Sequence, residues 1–202
     1  MFNYLTRKIE DNLLLTFVLL IVFHACLSIV LFLIANSDFL TSQHDGAGFW
    51  SFASDSKMYH AETLKLLKFL QESNWINWWY GTNWIHIQVA SLVYWITGFH
   101  SIIIFEIING PVWGLSLLLL FKASRVIFRD NSVAAILSVL FFMLPSVLIH
   151  STQLLRDPFV ILSISFLIYG WVLLDKSKLN LKAIFYILIG TILLLETVSY
   201  TH

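Results

Sequence analysis

Between Leu13 and Ala35 the chain runs for 23 residues without one Asp, Glu, Lys or Arg. A run of that length matches the roughly 20 residues a helix needs to cross a hydrocarbon core, where each backbone amide must be satisfied within its own segment. Arg7 and Lys8 precede it, and no small-x-small cleavage pattern follows it. It therefore reads as a retained first span rather than a secretory leader. Four further apolar runs are long enough to span: Ser101 to Phe121, Ser132 to His150, Pro158 to Leu174, and Leu181 to about Tyr200. Composition agrees, with 58% hydrophobic residues and only 12% charged. The formal charge is zero and the basic residues are dispersed, which gives no footing for nucleic acid. Cys26 is the only cysteine, so an intramolecular disulfide and a thiolate metal cluster are excluded.

A sixth apolar piece, Trp84 to Ile96, is short for a span and carries His, Gln, Tyr and Trp; its placement sets the orientation of everything after it. If it lies flat, Arg7, Lys8, Lys122, Arg125, Arg129, Lys176, Lys178 and Lys182 face inward, and Lys57, Lys65, Lys68 and Arg156 face outward. If it crosses, only Arg7, Lys8 and Arg156 remain inside and nine basic residues face out. The positive-inside rule selects the flat arrangement. The expected fold is thus an all-α polytopic membrane protein, a single membrane domain over residues 1–202. It has about five transmembrane helices and two interfacial helices, at about residues 56–72 and 84–97, in the first outer loop. That loop also holds six of the eight tryptophans, whose rings favour the headgroup level.

In the first interfacial segment Tyr59, Thr63, Leu66, Leu67 and Leu70 fall on one helical face, and Lys57, Lys65, Lys68 and Glu72 on another. The pattern predicts an amphipathic helix lying on the bilayer. Residues 74–83 read as a turn leading to the second helix. No internal repeat, low-complexity tract or soluble domain is evident.

The chemistry-bearing stretch is Ser54-Asp55-Ser56-Lys57-Met58-Tyr59-His60-Ala61, on the outer side just after the first span. Further along come Ile96-Thr97-Gly98, Ile108-Asn109-Gly110, Leu144-Pro145 and Leu155-Arg156-Asp157-Pro158. In order and spacing this set resembles polytopic glycosyltransferases of the GT-C fold, in the branch of protein O-mannosyltransferases and aminoarabinose transferases, family 39-like. The resemblance covers nearly the whole chain. It implies transfer of a hexose or pentose from a polyprenyl-phosphate-linked donor to an acceptor hydroxyl on the outer face of the membrane. By the same resemblance Asp55 is the catalytic carboxylate and Asp157 the second acidic residue near the cavity, with Tyr59, His60 and Arg156 as substrate-binding residues. Carboxylates are ionised at neutral pH and can take the acceptor's proton; a guanidinium fork suits a phosphate. The implied partners are a lipid-linked sugar donor and membrane lipids. Family members continue through several more spans that help form the donor site. On that ground the chain is expected to be an N-terminal portion, inactive alone, needing a missing C-terminal half or partner subunit. The basic loops fit a bacterial inner membrane with a cytoplasmic N-terminus.

Other readings of the same residues stand beside this one. Asp55 and Asp157 each suit a helix N-cap, the latter with Pro158 at the first helical position. Tyr59 and His60 suit interfacial anchors. Outward-side histidines, His44, His60, His86, His100, His150 and His202, with Asp45, Asp55, Glu62 and Asp157, offer ligands for a divalent metal, but none has the compact spacing of a zinc motif, so no metal site is assigned. Glu106 and Glu196 lie within spans near their outer ends, and His24 midway through the first, where a neutral packed imidazole is expected. Two other function classes fit the layout: a non-catalytic membrane subunit, and a polysaccharide polymerase or ligase.

Overall fold

The structure is a computed structural model that describes residues 12–82, 84–128, 131–176 and 180–198. Among these the architecture is all-α, without a strand. In chain order the helices are α1 (Leu13–Ala35), α2 (Asp55–Gln71), α3 (Trp75–Tyr80), α4 (Ile85–Thr97), α5 (Ile102–Phe128), α6 (Asn131–Phe142), α7 (Pro145–Ser151), α8 (Asp157–Lys176) and α9 (Leu181–Val198). A 3₁₀ turn, Ser51–Ala53, precedes α2. Four of these helices, α1, α5, α8 and α9, are long and apolar enough to cross a membrane. Their free faces are apolar: Leu14, Leu19 and Leu33 on α1 and Leu181, Phe185 and Leu195 on α9 are all more than half exposed. Water would penalise such faces, whereas lipid tails do not.

α5 is the spine. α1, α6 and α8 all pack against it, and α9 packs on α8. Three apolar clusters are stacked along its length. Ile102, at its start, joins Tyr59, Leu66, Leu67 and Leu70 of α2, Ile87, Ala90 and Tyr94 of α4, and Leu154, Leu155 and Phe159. Trp113 and Leu117 meet Val147, Leu148 and Ile161 at mid-height. Phe121 meets Ala134 near the far end. Between Ala134 and Leu154 the chain thus climbs back the whole length of the spine.

That return is not one helix. The expected span Ser132 to His150 is two pieces, α6 and α7, separated at Met143-Leu144. Leu144 has extended backbone (φ −57°, ψ 126°) and Pro145 opens α7. The physical reason is local: proline lacks an amide hydrogen and pushes the preceding residue out of the α region, so a helix stops before it and can restart on it. Pro111, by contrast, lies within the continuous α5. Of the other expected spans, Leu13 to Ala35 is a helix with those bounds, the second and fourth are helices with shifted ends, and the last begins at Leu181 as expected, while Tyr200, its expected end, lies outside the described residues.

The segment between α1 and α5 differs from expectation in two ways. Tyr59, Thr63, Leu66, Leu67 and Leu70 do form one face of α2, but each is at most 4% exposed, covered by α4 and Leu154 rather than by lipid. Burying Leu66, Leu67, Leu70 and Ile87 contributes about 1.5–3 kcal/mol apiece, which is why the apolar stripe closes a protein core once a second helix is available. The stretch read as a turn contains α3, started by Asn74, whose side chain accepts from the Asn77 amide at 3.1 Å. The Trp78 indole then donates to Ser91 Oγ at 2.8 Å, fastening α3 to α4. α4 ends as expected at Ile96-Thr97-Gly98: Gly98 takes φ +70°, a left-handed conformation that glycine adopts without steric cost, and its amide bonds back to the Tyr94 carbonyl.

Candidate active site

The first turns of α2 and α8 and the start of α4 meet at the end of the bundle where α5 begins. Asp55 is the first residue of α2; Ser54 sits at the cap position without a side-chain cap bond, and its hydroxyl reaches Asp55 Oδ1 only at 3.5 Å. Asp157 likewise opens α8, and the Arg156 carbonyl accepts the Phe159 and Val160 amides at 3.0 and 3.1 Å. Both aspartates therefore stand one residue inside the N-cap position that they suit by composition. A carboxylate there is favoured by the helix dipole while its oxygens stay free for other partners.

The two carboxylates share a neighbour. The Tyr59 phenol is pushed above its ordinary value by burial first, with Arg156 pulling it down and Asp55 and Asp157 pushing it up. One hydroxyl thus senses three charges that arrive from two distant stretches of sequence. Among the described residues no carboxylate lies within ion-pair distance of Arg156, so its half-buried fork is open.

Behind Tyr59 stands His86, fully buried, its ring edge-on to Tyr59 at 4.6 Å and near Trp84 and Phe159, each at 6.4 Å. Among the described residues neither of its nitrogens has a hydrogen-bond partner. Burial, with the Arg156 charge as a second cause, pushes its pKa down to about 3. It is neutral throughout the physiological range, a buried polar wall near the cation.

Asp157 also lines an open cleft of about 290 Å³ between α7 and α8, with Ser146, Val147, His150, Val160 and Ile161. His150 Nδ1 lies 2.6 Å from the Ser146 carbonyl, which can only accept, so Nδ1 carries the hydrogen and Nε2 is left as the open nitrogen. Phe52, three residues before Asp55, packs edge-on to the His150 ring at 5.6 Å. Asp157 thus lines the cleft itself, and the turn before Asp55 touches it only through the His150 ring.

Of the sequence-predicted residues, Asp55, Tyr59, Arg156 and Asp157 are brought together. His60 is not: its Nδ1 faces Tyr94 Oη at 3.1 Å, its ring contacts Phe49, and its pKa is lowered by burial and by nearby His100. The other metal-ligand candidates are spent locally. His44 donates through Nε2 to the Phe39 carbonyl (2.7 Å) and accepts at Nδ1 from the Gly46 amide (3.1 Å). Asp45 pairs with Lys57 at 2.7 Å, and Glu62 with Lys65. Among the described residues no three His, Cys, Asp or Glu side chains converge on one point; His202 and the Glu106 side chain lie outside them. His24 is packed as expected: Ser151 Oγ gives its hydrogen to the Leu148 carbonyl at 2.7 Å and so accepts from His24 Nε2 at 2.9 Å.

His86 and His150 were visible in sequence only as two of several outward histidines. What distinguishes them is the burial of one and the carbonyl contact of the other, and no local sequence signal carries either.

The chemistry available is that of an electrostatic clamp: two carboxylates able to accept a proton, one open guanidinium able to face an anion, and an imidazole nitrogen at the mouth of the cleft. Comparison with models of protein families, with curated proteins and with solved structures finds no match for this chain.

Proposed function

We propose that this chain is a membrane glycosyltransferase of the GT-C kind. In this reading it passes a sugar from a polyprenyl-phosphate-linked donor to an acceptor hydroxyl on the outer face, in a bacterial inner membrane with the N-terminus in the cytoplasm. One observation carries it: Asp55 and Asp157, each at the head of a helix, and Arg156, which has no ion-pair partner among the described residues, all act by charge on the one Tyr59 hydroxyl. Transfer from a phosphate needs an acceptor deprotonated as it attacks and a cation for the charge left on the departing phosphate. In the proposed reaction Asp55 takes the acceptor proton and Arg156 faces the phosphate. Asp157 holds the acceptor in the cleft.

The path of the chain favours five crossings, with α6 and α7 together making the third. The clusters along α5 carry the chain from the Ile102 end to the Phe121 end and back to Leu154.

The test uses the protein in nanodiscs with undecaprenyl phosphate as probe. Binding read by native mass spectrometry is expected, and Arg156→Gln should weaken it by tenfold or more, the scale of one lost charge-assisted contact. Asp55→Asn should leave binding intact, and the matching change in a full-length relative that transfers sugar should abolish transfer from polyprenyl-phosphate sugars. Absence of binding by the unaltered protein would sink the reading; transfer by the matching variant at the unaltered rate would remove Asp55 as the base.

A further inference from the structure

The surface of the outer segment that carries the largest apolar side chains is not on α2. On α3, Trp75, Ile76, Trp79 and Tyr80 are 47%, 73%, 60% and 79% exposed, while Trp78 alone turns inward. At the end of α4 and just beyond it, Trp95, Ile96 and Phe99 are 44%, 73% and 67% exposed. The two groups form one ridge, because Trp75 and Trp95 meet edge to face at 5.6 Å. No charged residue lies on it: from Ser73 to His100 the chain has no Asp, Glu, Lys or Arg, and the charges before it, Asp55, Lys57, Glu62, Lys65, Lys68 and Glu72, belong to α2 and its end.

Free in water, seven such side chains on one contiguous patch would be an aggregation surface. Two observations say what covers them. The ridge is continuous with a membrane-crossing helix: Phe99 stands three residues before Ile102, where α5 begins, so it sits at the level where that helix leaves the hydrocarbon. Its make-up is also that of the lipid-water boundary, where indole and phenol rings bury their bodies and keep their polar edges wet.

We infer that the α3–α4 ridge is a wedge seated in the headgroup and upper acyl region of the bilayer, and that α2 rides above it, out of lipid. Trp78 bonded to Ser91, and Leu70 packed with Ile87, tie the ridge to the helix bearing Asp55 and Tyr59. The wedge thereby sets the height of those residues over the membrane surface. The inference stands whether or not the chain transfers sugars.

The test is collision accessibility of nitroxide labels in proteoliposomes of phosphatidylethanolamine and phosphatidylglycerol. In a Cys26→Ser background, labels are placed singly at Ile76→Cys, Trp79→Cys and Ile96→Cys, and at Lys65→Cys on the outer face of α2. The first three should collide more with lipid-soluble oxygen than with a water-soluble nickel chelate, and Lys65→Cys should show the reverse preference. Preference for the nickel chelate at positions 76, 79 and 96 would overturn the wedge. So would low accessibility to both reagents, or dipolar broadening between molecules, since either means that protein, including a second copy, covers the ridge.

Discussion

His86 is the residue whose setting has the plainest measurable consequence. Its pKa falls to about 3 through burial and the Arg156 charge, well below the 6.5 of a free imidazole. As pH drops through 6.5 the unfolded chain binds a proton that the folded chain refuses, so stability is intact above about 6.5 and is lost progressively down to about 3. Between pH 6.5 and 5 the loss amounts to about 2 kcal/mol, at 1.36 kcal/mol per unit. His86→Leu should keep the pH 7.5 stability of the purified protein, because the imidazole makes no hydrogen bond to lose, and should flatten its acid sensitivity. Thermal unfolding followed at pH 7.5 and pH 5 checks this; equal acid sensitivity in the two proteins would contradict the assignment. His60, lowered by burial and by His100, adds a smaller effect of the same sign.

At the scale of elements, the α8–α9 pair joins close backbone approach to one aromatic contact, Tyr186 against Phe166 and Tyr169. A Cβ at Gly190 would lie 2.8 Å from the Ser163 carbonyl and 3.0 Å from the Leu167 amide, and one at Gly170 would lie 3.0 Å from the Ala183 carbonyl. Small residues at such crossings are how helices associate in lipid, where the hydrophobic effect offers no drive between them. The obstructing atoms at Gly190 are mostly backbone and cannot rotate away, so Gly190→Ala should cost about 1–3 kcal/mol as an overpacking change. Denaturation in mixed detergent micelles reads the loss, with Cys26→Ala on the exposed face of α1 as a neutral control. An unchanged midpoint would mean that α9 is not held at this crossing.

At the scale of the whole molecule, the question is which ends of the helices share a side. The cluster containing Ile102, Leu154 and Phe159 also holds α2 and α4, so the segment between α1 and α5, the start of α5 and the start of α8 are at one end. Arg125, in the last turn of α5, belongs to the other. With an inward N-terminus, a charged maleimide added outside intact cells should fail to label Arg125→Cys and should label Lys65→Cys, both in a Cys26→Ser background. Labelling at residue 125 would reverse the orientation and move the aspartates to the cytoplasmic face.

The sequence by itself determined the class. Uninterrupted apolar runs leave helices as the only way to satisfy the backbone in lipid, and α1, α5, α8 and α9 were legible from length and charge alone. So was the amphipathic stripe of α2, since side-chain period follows from helix geometry. What covers that stripe was not legible. Periodicity says that a face is apolar, not whether lipid or protein lies against it, and only α4 and Leu154 folding over it decided the matter. The break at Leu144-Pro145 was visible as a motif, but its effect depended on whether the proline stood inside a continuous helix, as Pro111 does, or at the start of a new one. Asp55 and Asp157 could be named as candidates one by one. Their shared influence on Tyr59, the open fork of Arg156 and the buried ring of His86 arise from packing between segments about a hundred residues apart, and proximity of that range is decided by the tertiary fold alone.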